Sequence, residues 1–221
     1  MRSTLTIDDV EAVLFDMDGT LVLTEDRTDR AVVALLAEIG EDAVDIDLTH
    51  FHGVTWEATA AWLTERWPAL GGTDTAAELQ RRFHETFIDD PPPQVPGARA
   101  ALAAAAAVVP TAIVTSSNQE TLTLVCDQLN LHGLVTATVS AEDCTRSKPD
   151  PQPFTLAADR LAVDPRRCLI FEDSAAGVQA AQAAGASVIA IGAESGHTPW
   201  VADYRALPSG FFAAATRPTH G

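Results

Sequence analysis

The chain has 221 residues, with 31 acidic against 14 basic, for a formal charge of −17. That field repels phosphate backbones and anionic headgroups, which argues against nucleic acid or a membrane surface as partner. With 20% charged and 47% hydrophobic residues, the chain is globular, and its length suits one large core with a smaller satellite domain.

Residues 1–9 lack the long apolar stretch of a signal peptide, and no apolar run approaches the roughly 20 residues of a membrane span. Val10 to Phe15 is an apolar run ending at Asp16, the pattern of a strand buried on both faces. From Thr24 the pattern turns helical: Ala31, Val32, Leu35, Leu36 and Ile39, then Trp56, Ala60, Leu63 and Trp67. Pro91-Pro92-Pro93 and Pro96-Gly97 close this stretch off as a stiff connector. The reading is a helical domain over 24–93 inserted into an α/β core of 1–23 and 94–221.

The alanines of 98–107 favour helix. Ala112 to Val114 predicts a strand that stops at Thr115-Ser116-Ser117, after which Ser117 or Asn118 can cap a helix carrying Leu122, Val125 and Leu129. Val135 to Val139 alternates like a less buried strand. Asp150 as cap and Pro151 as first helical residue open a helix with Phe154, Ala157, Ala158 and Leu161 on one face. Leu169 to Phe171 is a strand ending at Glu172-Asp173-Ser174, Ser174 caps a helix stopped at Gly185, and Val188 to Ile191 is a strand ending at Gly192. Strands alternating with helices give an open parallel sheet of Rossmann type. Ligands bind such sheets outside the carboxyl ends of the strands, where these polar clusters converge.

Cys126, Cys144 and Cys168 are odd in number and lack C-x-x-C spacing, which fits small buried hydrophobes in a reducing cytoplasm. Tyr204 reads as structural.

Asp16-Met17-Asp18-Gly19-Thr20 carries the most chemistry. Two carboxylates two residues apart at a strand end repel unless a cation or shared proton relieves them, and Gly19 permits a turn whose amides face an anion. Glu172-Asp173 lies at another strand end, so Asp16, Asp18, Glu172 and Asp173 describe a hard-cation site, most simply Mg²⁺. Lys148 is the only lysine of the chain, a compact charge able to balance a phosphate and an ionised nucleophile. Thr115 and Ser116 offer hydroxyl and amide donors to phosphate oxygens.

Asp16-Met17-Asp18-Gly19-Thr20-Leu21-Val22, Thr115-Ser116-Ser117-Asn118, Lys148-Pro149-Asp150 and Phe171-Glu172-Asp173-Ser174-Ala175-Ala176-Gly177 resemble, in order, the four motifs of the haloacid dehalogenase superfamily. The helical insertion is similar to the α-helical cap of the subgroup that holds β-phosphoglucomutases and small sugar or polyol phosphatases. The resemblance implies Asp16 as nucleophile forming an aspartyl-phosphate, Asp18 as general acid and then base, and Thr115 and Lys148 as holders of the phosphoryl group. It also implies Mg²⁺ on Asp16, the Asp18 carbonyl and Asp173, with Glu172 close by or acting through water.

Two departures narrow the activity. Dehalogenases of the superfamily lack the second aspartate, present here as Asp18. The β-phosphoglucomutases carry a cap arginine after a G-V-[ST] turn, where this chain has Trp56 in His52-Gly53-Val54-Thr55-Trp56, and an acidic residue and a His where it has Leu23 and Thr28. Losing a bidentate arginine argues against a mutase, unless Arg27, Arg30 or Arg81 substitutes. The expectation is a Mg²⁺-dependent phosphatase of a sugar or polyol monophosphate, a monomer or weak homo-oligomer. Ser116, Asn118, His52 and Trp56 are read as substrate-binding, although Trp56, Trp62 and Trp67 at helical spacing suit a core equally well. A phosphomutase is the alternative within enzymes. A silent phosphate-binding regulatory protein is the rival class, and the intact Asp16, Asp18, Lys148 and Asp173 set speaks against it.

Overall fold

The computed structural model describes residues 9–52, 54–72, 74–192 and 199–216. Gly53, and residues 1–8 at the N-terminus, lie outside these. The described residues form two compact units, one of Leu23–Pro93 and one from the chain on either side of it.

The larger unit is a sheet of β1 (Ala12–Phe15), β2 (Thr111–Val114), β3 (Ala137–Val139), β4 (Cys168–Glu172), β5 (Ser187–Ile191) and β6 (Trp200–Val201). The order is β3-β2-β1-β4-β5-β6, parallel throughout. After β1 the chain builds outward through β2 and β3, then returns to add β4 on the other side of β1, which makes the end of β1 the switch point. Register fixes what gathers there. Phe15 pairs with both Ile113 and Phe171, so Asp16, one residue on, lies level with Val114 and Glu172.

One face of the sheet packs Ala12, Leu14, Ala112, Val114, Ile170 and Ala190 against Phe154, Ala157 and Ala158 of α6 (Gln152–Leu161) and Val178, Ala180 and Ala181 of α7 (Ala175–Ala183). These small residues let helix and sheet approach closely, and full burial of each large neighbour contributes about 1.5–3 kcal/mol. Phe15 and Phe171 stack at 5.3 Å, and Tyr204 and Phe212 pack on Phe171 at 5.3 and 5.9 Å. The unit also holds α4 (Ala98–Ala106), α5 (Gln119–Gln128) and α8 (Phe211–Ala215).

Local chemistry sets the element ends. Asn118, rather than Ser117, caps α5 by accepting from the Thr121 N–H at 2.8 Å. Ser174 caps α7 through the Gly177 N–H at 3.0 Å, and Gly185 ends that turn at φ +82°. The Asp150 carboxylate gives α6 the capping bond that the sequence assigns to it, accepting from the Gln152 N–H at 2.9 Å, with Pro151 between them already helical at φ −69°. Val10 precedes β1, its N–H donating to the Ala215 carbonyl, and Val135 precedes β3. The two-residue β6 carries no periodic signal and was legible only through its pairing with β5.

The smaller unit packs α1 (Glu25–Glu38), α2 (Trp56–Arg66) and α3 (Thr75–Asp89), with Val32, Leu35, Leu36, Leu63, Leu79, Phe83 and Phe87 buried between them. Arg27 is buried there, donating to Asp26, to the Asp90 carbonyl at 2.9 Å and to the Asp90 carboxylate at 3.0 Å. Arg82 bridges Glu38 on α1 and Glu78 on α3. Among the described residues no helix is long and apolar enough to cross a membrane.

Candidate active site

At the switch point, the Asp16 N–H donates to the Phe171 carbonyl at 3.0 Å, continuing the β1–β4 ladder one residue past the strand. Its carboxylate is thereby fixed in a buried position at the sheet end. Lys148, with its side chain 3% exposed, donates to Asp16 Oδ1, to Glu172 Oε1 at 2.8 Å and to the Val114 carbonyl at 3.4 Å. Three acceptors thus engage the three protons of the ammonium.

Glu172 Oε2 accepts from the Ser174 N–H at 2.6 Å and the Ser174 hydroxyl at 3.0 Å, which seats this carboxylate on the N-terminus of α7. Gly177 forms the floor of that seat: a Cβ there would lie 1.7 Å from Glu172 Oε1 and 2.0 Å from its Cδ. Asp173 Oδ1 accepts from the Thr20 hydroxyl at 3.0 Å. Gly19, at φ +75°, turns the chain so that Thr20 comes back toward the strand ends.

The charges are unbalanced. Burial pushes the Asp16 carboxyl up to about 8, with Glu172 and Asp18 adding to the shift and Lys148 opposing it. Asp173 is likewise raised well above the usual carboxylate range by burial, then by Glu172 and Asp16, with Thr20 and Lys148 opposing. Burial alone would lower the Lys148 ammonium, but Asp16 and Glu172 reverse that and hold it above the ordinary lysine value. One carboxyl oxygen from each of Asp16, Glu172 and Asp173 lies within 4.8 Å of the others. Three acids beside one ammonium, all offering oxygen, fit a hard divalent cation.

The sequence predicts four converging carboxylates, and here the fourth differs. Asp18 Oδ2 accepts instead from the Thr115 hydroxyl at 3.0 Å and the Ser117 hydroxyl at 2.8 Å. Ser116 is half-buried between those two residues. Asn118, read as substrate-binding, directs its side-chain oxygen to the cap of α5. In the helical unit, His52 Nε2 meets Asp29 at 2.9 Å, and the Trp56 ring packs on Phe83 with centroids 5.1 Å apart. Arg27, Arg30 and Arg81 are each ion-paired inside that unit, with Asp26 and Asp90, with Asp26, and with Glu78 and Glu85.

Ser117, Thr20 and Gly177 are site neighbours to which the sequence reading gives no part in the chemistry, Ser117 being read only as a possible helix cap.

The profile of haloacid dehalogenase-like hydrolases matches residues 10–185. Over 201 residues the chain is 35% identical to the protein Suppressor of Quenching 1, chloroplastic, of Arabidopsis thaliana. That match takes in 86% of this chain but only 19% of the relative, so the chain spans about a fifth of it. It is 30% identical to a phosphorylated carbohydrates phosphatase of Thermotoga maritima, covering 80% of this chain and 82% of that one. Among solved structures it is similar to a β-phosphoglucomutase of Clostridium difficile, with a TM-score of 0.72 and 21% identity over 83% of this chain and 85% of the other, a likeness of fold. By its profile match and its sheet order, this chain belongs to the haloacid dehalogenase-like hydrolases.

Proposed function

We propose that this hydrolase is a Mg²⁺-dependent phosphatase of small sugar or polyol monophosphates. The observation that carries the reading is the buried Asp16 carboxylate, held by Lys148 at the switch point of the sheet and flanked by two further acids. In this reading an Asp16 oxygen attacks phosphorus, and the bond from phosphorus to the substrate's ester oxygen breaks. Asp18 gives its proton to that departing oxygen, releasing the alcohol and leaving an aspartyl-phosphate. Asp18 then takes a proton from water as the water attacks phosphorus. The bond to Asp16 breaks, and inorganic phosphate leaves.

Asp16 and Asp173, with the Asp18 carbonyl and with Glu172 directly or through water, would hold Mg²⁺, which when bound offsets charge on the phosphoryl oxygens and the acids. Lys148 supplies a fixed positive charge, and Thr115 and Ser116 supply donors for the equatorial oxygens. The helical unit has the role of a cap in this reading, drawing specificity from residues 51–57. The three free thiols support a reducing compartment, the cytoplasm.

The likeness to a β-phosphoglucomutase raises the mutase as a second reading. Trp56 at the arginine position, and internal ion pairs on Arg27 and Arg81, favour the phosphatase. A panel of sugar and polyol monophosphates, read by phosphate release with Mg²⁺ or EDTA, tests this. Release that needs Mg²⁺ is expected. Silence across the panel and on p-nitrophenyl phosphate overturns the phosphatase, and isomerisation that needs a bisphosphate activator favours the mutase.

The crowded acids also set a metal-linked pH dependence. Asp16 and Asp173 have folded pKa values above their unfolded value of 3.8, so their contribution to stability is full below about pH 4. It is lost as pH rises, for Asp16 toward about 8. Asp143 and Asp164, held down to about 2 chiefly by hydrogen bonds from Arg160 and Arg166, titrate below this window. In EDTA, the melting temperature is expected to fall between pH 5 and pH 8 (roughly the span of the Asp16 shift). The increment from Mg²⁺ should grow over the same range, because the cation takes the place of the protons. Melting curves with an increment independent of pH would contradict this.

A further inference from the structure

Ser117 is half-buried just past the end of β2 and before the cap of α5. Its hydroxyl donates to Asp18 Oδ2 at 2.8 Å, the same oxygen that the Thr115 hydroxyl reaches at 3.0 Å. Its N–H donates to Thr115 Oγ1 at 2.9 Å, which orients that hydroxyl toward Asp18.

A hydroxyl carries one proton. The Thr115 proton cannot rest on Asp18 and on a phosphoryl oxygen together. If Thr115 turns to the phosphoryl group, the Ser117 hydroxyl stays on Asp18 Oδ2, the oxygen that Thr115 leaves. A donor that stays on that oxygen keeps the carboxyl from turning away from the departing oxygen while Thr115 serves the phosphoryl group.

We propose that Ser117 is a positioning residue for Asp18, its hydroxyl fixing the general acid while Thr115 exchanges Asp18 for the phosphoryl group. This rests on the phosphatase reading. The step served is proton transfer from Asp18 to the ester oxygen as its bond to phosphorus breaks.

Leaving groups separate positioning from mere structure. An alkyl phosphate needs that proton, because an alkoxide leaves poorly, whereas nitrophenolate leaves p-nitrophenyl phosphate unaided. The quantity to compare is kcat/KM, which extends only through formation of the aspartyl-phosphate. For Ser117→Ala it should fall on the order of 10- to 100-fold on the best alkyl monophosphate of the panel and less than about 3-fold on p-nitrophenyl phosphate. Ser117→Thr, which keeps a hydroxyl, should restore most of the alkyl activity. If Ser117→Ala does not fold, Ser117→Cys, close in size with a weak donor, is read on the same two substrates. Equal losses on both substrates, or no loss on either, overturn the inference alone. A wild-type chain that hydrolyses neither removes the phosphatase reading and the inference with it.

Discussion

Asp16→Asn should abolish phosphate release by about 10⁴-fold or more while leaving the metal-free fold at least as stable as the wild type. The two halves of this result have separate causes. An amide nitrogen or oxygen is too weak a nucleophile to open the first step, and no neighbouring carboxylate takes its place. Glu172 is engaged by Lys148 and Ser174, and Asp18 accepts from Thr115 and Ser117. Stability follows from charge: the site buries Asp16, Glu172 and Asp173 beside the single ammonium of Lys148, and burial already pushes Asp16 up to about 8. Removing one acid from that set relieves repulsion, and Lys148 keeps Glu172 as partner. Phosphate release assays and melting curves in EDTA check both halves. Activity within about 100-fold of wild type would refute the nucleophile, and a marked drop in metal-free stability would refute the charge argument.

Gly177→Ala has the second large effect, and its direction opposes helix propensity. Alanine in a helix is favoured over glycine by about 1 kcal/mol. Here the added Cβ would stand 1.7 Å from Glu172 Oε1 and 2.6 Å from Oε2. The carboxylate cannot retreat cheaply, because Lys148 holds one oxygen at 2.8 Å and the Ser174 N–H holds the other at 2.6 Å. Displacing it leaves a buried charge short of its partner, so a net destabilisation of about 3 kcal/mol is expected, with activity lost through Lys148. Denaturant unfolding measures the first, and the background in which it is measured decides the cause. With Glu172→Ala already in place, the collision disappears and Gly177→Ala should become neutral or stabilising by up to about 1 kcal/mol. A cost that persists in that background would place the constraint elsewhere than at the carboxylate.

The parallel core was readable because its strands are buried on both faces. Runs such as Leu169-Ile170-Phe171 need no turn of phase to be recognised, and each ends on the polar residues that the register gathers around Asp16. Asp16, Glu172 and Asp173 could be grouped in advance because like charges at neighbouring strand ends require a common counter-charge. Ser117 and Gly177 were not readable in the same way. A serine before a helix is indistinguishable in sequence from a cap, and only the distances show that Asn118 caps while Ser117 turns to Asp18. Gly177 matters for an atom it lacks, and no composition or periodicity reports what would fill that space. In the helical unit, the spacing of Trp56 says that it lies on a helix face but not what it packs on, which is Phe83.

Lys148 gives the chain a built-in chemical reporter. Reagents that acylate ε-amines need a neutral, accessible nitrogen, and this sequence offers them one ε-amine in all. In the folded protein that amine is enclosed and held protonated by Asp16 and Glu172, so it should resist the reagent. Modification at Lys148, located by peptide mass mapping apart from any α-amine, would therefore register opening of the sheet end around Asp16 with no engineered label.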